Sequence, residues 1–132
     1  MRILFLDDML DRHQAFRRNR IGHDITHVET APEAIAVLKR SEPFDIVQLD
    51  HDLAEEHYLK ASEGLSEERR EGEAEYLCGT GMDVVDFICT MPKEKRPKLV
   101  IIHSWNLRWK EMYYRLYDAG VPVKYLRFDP HN

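Results

Sequence analysis

Polar and apolar positions along this chain fall into blocks of two kinds. The runs Ile3-Leu4-Phe5-Leu6, Ile46-Val47-Gln48-Leu49 and Leu99-Val100-Ile101-Ile102 are too short for helices and are largely apolar and β-branched. Such runs read as buried strands. Together with weaker apolar stretches they predict strands over 2–7, 24–29, 45–50, 98–103 and 121–128. The intervening blocks carry helical spacing. A helix is predicted from about Leu10 to Ile21, ended near Gly22, with a thin apolar stripe of Met9, His13, Phe16 and Ile21. Thr30-Ala31-Pro32-Glu33 is a capping box with proline in the first turn, and it opens a helix to about Arg40 that buries Ala34, Ile35, Val37 and Leu38. Thr80-Gly81 opens the next, with Met82, Val85, Ile88 and Cys89 inward and Pro92 as its stop. From about Asn106 to Ala119, Trp105, Trp109, Met112, Tyr113 and Leu116 form a strong amphipathic stripe, the mark of a helix packed on a sheet. Five strands alternating with four helices imply right-handed crossovers and a parallel sheet.

The segment at about 54–79 breaks this rhythm, since Glu55-Glu56 and Ser66-Glu67-Glu68-Arg69-Arg70-Glu71 are charge-rich with little apolar periodicity. Long structureless connections in a compact domain are usually functional or disordered. This one springs from the end of the third strand, and it reads as a lid or mobile insertion.

Three of the apolar runs end in polar clusters: Asp7-Asp8, Asp50-His51-Asp52 and His103-Ser104-Trp105-Asn106. In an open α/β sheet, ligands bind outside the carboxyl ends of the strands. The acids and the two histidines of these clusters are thereby brought to one rim, which is the pattern of an active site.

Composition narrows the classes. A chain of 132 residues with 43% hydrophobic and 33% charged content is an ordinary single globular domain. Its net charge of −5 repels nucleic acid, so generic DNA binding is not expected. The basic groups Arg17, Arg18, Arg20 and Lys93, Lys95, Arg96, Lys98 read as solvated helix ends. Cys78 and Cys89 match no metal-ligand spacing and make no disulfide framework, which points to a reducing compartment. Only four consecutive apolar residues precede Asp7; neither a signal peptide nor a membrane span is expected, and the predicted location is cytoplasmic.

With acids ending strands one and three, the plan resembles a response-regulator receiver domain. That resemblance implies a flavodoxin-like sheet of order 2-1-3-4-5, with Mg²⁺ held by the strand-one acids and a phosphoryl group accepted at Asp50. The departures are informative: His103-Ser104 ends strand four, Phe128 stands where the receiver lysine would align, and no fifth helix follows. A closer resemblance is to the cyclic-phosphate processing receiver domains. It is carried by Leu6-Asp7-Asp8, Arg12-His13 with Phe16, Leu49-Asp50-His51-Asp52-Leu53, Thr80-Gly81 and His103-Ser104-Trp105-Asn106, in that order over most of the chain. Leu107-Arg108-Trp109 departs from the proline or glycine expected after Asn106. This resemblance implies a phosphoesterase acting on a cyclic phosphate, on a nucleotide or at an RNA end.

The residues suit that chemistry. Histidine, with an unperturbed pKa of about 6.5, both takes and gives a proton near neutrality. Opening a cyclic phosphate needs a base for water and an acid for the leaving sugar oxygen. His51 and His103, with Asp50 to orient them, are the expected catalytic set. Arg12, Asp52, Ser104 and Asn106 are expected to contact the phosphate-containing ligand. Crowded carboxylates raise one another's pKa or demand a cation, and Asp8 with Asp50 would hold Mg²⁺ or Mn²⁺. His13, His23, His27, His57 and His131 read as ordinary hydrogen-bonded or surface residues. No Gly-rich phosphate loop, cysteine nucleophile or zinc signature is present. Two alternatives stay open. One is a non-catalytic pseudo-receiver that binds a protein partner on the face lacking helix five. The other is phosphoryl acceptance at Asp50, disfavoured by the missing lysine.

Overall fold

Every apolar run becomes a strand. The computed structural model describes residues 1–53, 79–104 and 106–131. The strands are β1 (Arg2–Leu6), β2 (Asp24–Val28), β3 (Ile46–Leu49), β4 (Leu99–Ile102) and β5 (Val123–Tyr125). They pair in parallel in the order β2-β1-β3-β4-β5. Four α-helices connect them among the described residues: α1 (Leu10–Arg18), α2 (Ala31–Arg40), α3 (Gly81–Thr90) and α4 (Trp109–Asp118). The flavodoxin-like plan is therefore what the chain adopts, and among the described residues no helix follows β5. The insertion expected at about 54–79 lies, but for Gly79, outside the described residues. No described helix is long and apolar enough to cross a membrane.

Strand alternation divides the core in two. Leu4, Leu6, Val47, Leu49, Val100 and Ile102 join the larger cluster with residues of α2, α3 and α4. Ile3, Phe5 and Phe16 form a smaller one on the α1 side, flanked by Ile25, Ile46 and Phe128. Side chains two residues apart in a strand share a face, and burying each large aliphatic one contributes about 1.5–3 kcal/mol.

Element ends differ from expectation for local reasons. Helix α1 stops at Arg18, and Ile21 stands 87% exposed in the turn that Gly22 closes with a φ of 94°; it is no part of the core stripe. Helix α4 begins only at Trp109, because the Asn106 side-chain oxygen accepts from the Arg108 amide at 2.9 Å and holds the preceding turn. In the capping box of α2, Thr30 Oγ1 accepts from the Glu33 amide at 3.3 Å, and Glu33 bonds back to the Thr30 hydroxyl at 3.1 Å rather than to its amide. Arg96 is no solvated basic residue. Its guanidinium donates to the carbonyls of Met91, Cys89 and Ala119 at 3.0, 2.9 and 3.0 Å, tying together the ends of α3 and α4, where carbonyls lack helical partners.

The face expected to stand bare is partly covered by the chain's own end. Phe128 lies 6.1 Å from Phe5 between ring centroids, and Asn19 donates to the Pro130 carbonyl at 2.9 Å. Residues 126–131 thus cross toward α1 outside any helix or strand, ending in a turn.

Candidate functional site

Parallel pairing sets Leu6, Leu49 and Ile102 side by side. The next residue of each strand is therefore Asp7, Asp50 or His103, and all three are buried, at 0%, 5% and 0% exposure. Their ligand-bearing atoms lie within 4.8 Å of one another, a set that could share one metal ion. His103 Nε2 meets Asp7 Oδ2 at 2.7 Å. The same carboxylate oxygen accepts from Arg12 Nη1 at 3.2 Å, while Asp7 Oδ1 accepts from the Met9 amide at 2.8 Å. Arg12 Nη1 also reaches Asp50 Oδ2 at 3.3 Å. On its far side the His103 ring stacks parallel to Phe5, with centroids 5.2 Å apart, and Phe128 sits 5.8 Å away.

These surroundings drive neighbouring groups in opposite directions. Burial works against the charge on Asp7, yet hydrogen bonding from His103, the Met9 amide and the Arg12 charge together hold it below the usual carboxylate range. Asp50 has only Arg12 in its favour; burial and the neighbouring Asp7 push it up to about 8. The two carboxyls are thus displaced in opposite senses. Burial lowers His103 as well, and its bond to Asp7 offsets this only in part. Burial thus favours the neutral ring, and in that form Nε2 donates to the Asp7 carboxylate while Nδ1 carries the lone pair.

A second cluster forms around the residue after Asp50. His51 Nδ1 meets Asp52 Oδ1 at 2.9 Å, and Asn106 Nδ2 donates to the same oxygen at 3.2 Å. Both hydrogen bonds, offset in part by burial, hold Asp52 low. The Thr80-Gly81 pair anchors this turn: the Gly81 amide donates to the His51 carbonyl at 3.0 Å, and a Cβ at Gly81 would run into the Asp50 backbone carbonyl. Only glycine lets α3 start so close to the strand end. Ser104 is fully buried, its hydroxyl accepting from the Asn106 amide at 3.0 Å and its carbonyl from the Tyr125 hydroxyl at 2.9 Å.

The expected single group of His51, His103 and Asp50 thus resolves into two clusters. The reason is register: Asp50 follows Leu49, which lies beside Leu6 and Ile102, and so joins Asp7 and His103, while His51, in the bend after the strand, takes Asp52. The acid that orients His103 is Asp7, not Asp50. The convergent ligand atoms belong to Asp7, Asp50 and His103, not to Asp8, which is buried beside them at 4% exposure. Asp7 was the residue to find from sequence, and counting one step past the paired strand ends locates it. Ser104, Asn106 and Asp52, expected on the ligand, are hydrogen-bonded within the protein. Arg12, also expected on the ligand, lies instead on the Asp7 and Asp50 carboxyls.

Two ring nitrogens stand out. Among the described residues, His51 Nε2 and His103 Nδ1 are the buried side-chain polar atoms without a hydrogen-bond partner. Such atoms are rare because leaving a donor or acceptor unmet costs about 1–3 kcal/mol. His13 behaves as a core histidine. Its Nε2 donates to the Asp7 carbonyl at 2.7 Å, so its Nδ1 accepts from His27 Nδ1 at 2.8 Å.

Comparison with known proteins places this geometry. The family model described as the cyclic-phosphate processing receiver domain matches residues 2–119. Among solved structures, the chain is similar to a signal receiver domain described as that of a Luxo repressor protein from Vibrio parahaemolyticus. The identity is 22% and the TM-score 0.59, over 96% of this chain and 76% of that one. It is similar also to the response regulator domain of Thermotoga maritima CheB, at 13% identity and TM-score 0.56 over 96% and 77%. An adenylate cyclase from Rhodopirellula baltica matches at 19% identity and TM-score 0.52, over 94% and 74%. At these identities the likeness concerns the fold. No curated protein matches the chain.

Proposed function

Because the chain belongs to the cyclic-phosphate processing receiver family, we propose that it hydrolyses a cyclic phosphate, with His103 and His51 moving the protons. The observation that carries this reading is the pair of carboxylate-bound imidazoles, each with its second nitrogen left without a partner. A carboxylate on one nitrogen fixes the tautomer and the ring orientation, and leaves the other nitrogen for the reaction.

The roles follow from surroundings. His103, kept neutral by burial, is suited to the base: Nδ1 accepts a proton from the attacking water as its oxygen bonds to phosphorus. His51 is suited to the acid: it gives the proton from Nε2 to the sugar oxygen as the phosphorus–oxygen bond breaks, with ionised Asp52 as counter-charge. The product is an opened phosphomonoester. Arg12 contributes positive charge beside the phosphate, and Asn106 positions Asp52. Were Arg12 to give way, Asp7 and Asp50 could hold a divalent ion, which would supply charge neutralisation for the phosphate.

Phosphoryl acceptance at Asp50 is the weaker reading, since Phe128 stands where the receiver lysine would align. The substrate is a small cyclic nucleotide or a cyclic-phosphate RNA end. Incubating the protein with a panel of both, with and without EDTA, tests the proposal. Hydrolysis that falls on the order of 10²-fold or more in each of His51→Ala and His103→Ala supports it. A panel left wholly intact by the wild type refutes it.

A further inference from the structure

The oxygens that a metal ion would need at this rim already hold a cation from the chain itself. One Arg12 nitrogen, Nη1, lies 3.2 Å from Asp7 Oδ2 and 3.3 Å from Asp50 Oδ2. It therefore bridges the two carboxylates through the lone pairs a shared ion would use. The other Asp7 oxygen is spent on the Met9 amide, and Oδ2 also accepts from His103. The guanidinium is held in place from a second direction, with its central carbon 5.7 Å from the Phe128 ring centroid, a cation–π distance. The Arg12 side chain is nonetheless 24% exposed, so it has room to leave.

The donor spacing itself is favourable to a metal: three ligand atoms within 4.8 Å, two from carboxylates and one from an imidazole, a set that suits Mn²⁺. What stands in the way is Arg12. A divalent ion must either displace the guanidinium or share two oxygens with it, and sharing places like charges within a few ångströms of each other.

We infer that Arg12 is the resident counter-ion of the Asp7–Asp50 pair, so that a divalent cation binds strongly only when Arg12 is removed. The inference concerns cation binding alone and does not require that the site open a cyclic phosphate.

Calorimetric titration of the full chain with MnCl₂ tests it, independently of any activity. The wild type should bind Mn²⁺ weakly. Arg12→Gln, which loses the charge but keeps a polar stem, should bind it at least ~10-fold more tightly, as fits removal of a competing charge in a buried site. Arg12→Lys keeps a cation and should stay close to the wild type. Adding Asp50→Asn to Arg12→Gln should abolish the gain, placing the ion between the carboxylates. Thermal melts should agree, with Mn²⁺ raising the melting temperature of Arg12→Gln and leaving the wild type unmoved. If Arg12→Gln is unfolded in metal-free buffer, Mn²⁺ should fold it. Wild type that binds Mn²⁺ as tightly as Arg12→Gln, or an Arg12→Gln variant that gains no affinity or stays unfolded with Mn²⁺, overturns the inference.

Discussion

The rim carries two histidine–carboxylate pairs of the same chemistry in different surroundings. His103 and Asp7 have no exposed side-chain surface, and the imidazole is packed against Phe5 and Phe128. His51 is equally buried, but its partner Asp52 is 58% exposed. The first pair is therefore part of the protein's interior, with its protonation fixed by burial and by Arg12. The second has one end in solvent, where the charge is screened. The same motif thus sits at two depths of one rim, with one pair shielded and the other holding its carboxylate in solvent.

Truncation should expose that difference most strongly. Asp7→Ala strips partners from His103, Arg12 and the Met9 amide together, and should destabilise the fold by about 3–5 kcal/mol, as for a broken buried ion pair. Asp52→Ala should cost less, about 1–3 kcal/mol, because its carboxylate is largely solvated and the loss is that of leaving the buried His51 Nδ1 unmet. Urea unfolding of both variants measures the contrast, and equal losses would erase it.

Within the buried cluster, Asp7 and Asp50 form a sharper comparison, since their affinities for a proton are displaced in opposite senses. Asp50 binds its proton with a pKa of about 8 when folded and about 3.9 when unfolded. The wild type should therefore lose stability relative to Asp50→Asn as pH rises from about 4 to about 8, with the loss complete above that. By linkage the loss is on the order of 5 kcal/mol. Asp7 contributes in the other direction: its stabilisation is present above about pH 4 and disappears below it, as the folded carboxylate takes up a proton. Chemical denaturation of wild type and Asp50→Asn at pH 5, 7 and 9 tests the first statement. A constant difference between the two proteins would contradict it.

The smallest effect belongs to the solvent-facing pair. Asn106→Ala removes the second hydrogen bond to Asp52 and should cost on the order of 0.5–1.5 kcal/mol or less, as for one hydrogen bond. Added salt should weaken the His51–Asp52 contact in the wild type and leave His103–Asp7 unaffected. Imidazole resonances followed by NMR against salt concentration would distinguish the two rings, and a parallel response in both would count against the contrast.

How far the sequence spoke follows from the same physics. Strand runs and helical stripes are local, so Ile46–Leu49 or Met112 with Leu116 could be placed from neighbours alone, and the sheet order followed from the receiver resemblance. The rim was legible too, because polar residues ending buried runs converge there. What pairs with what was not local. The choice of Asp7 over Asp8, and the separation of His51 from His103, depend on strand register, which sequence runs set only to within a residue. Arg96 was read as a solvated charge because the carbonyls it caps come from Met91, Cys89 and Ala119, on two helices distant in the chain. Phe128 covers the α1 face through a return of the chain after β5 that carries no periodic signal.

The central claim is that two imidazoles, each oriented by a carboxylate, transfer protons to and from a cyclic phosphate. The direct test is the dependence of kcat/KM on pH for a 2′,3′-cyclic nucleotide, in wild type, His51→Ala, His103→Ala and the double variant. A bell-shaped wild-type profile should collapse on the order of 10²-fold or more in each single variant. The double variant should lose far less than the product of the two, because the pair acts as a unit. Full activity in His103→Ala, or two losses that simply multiply, would contradict it.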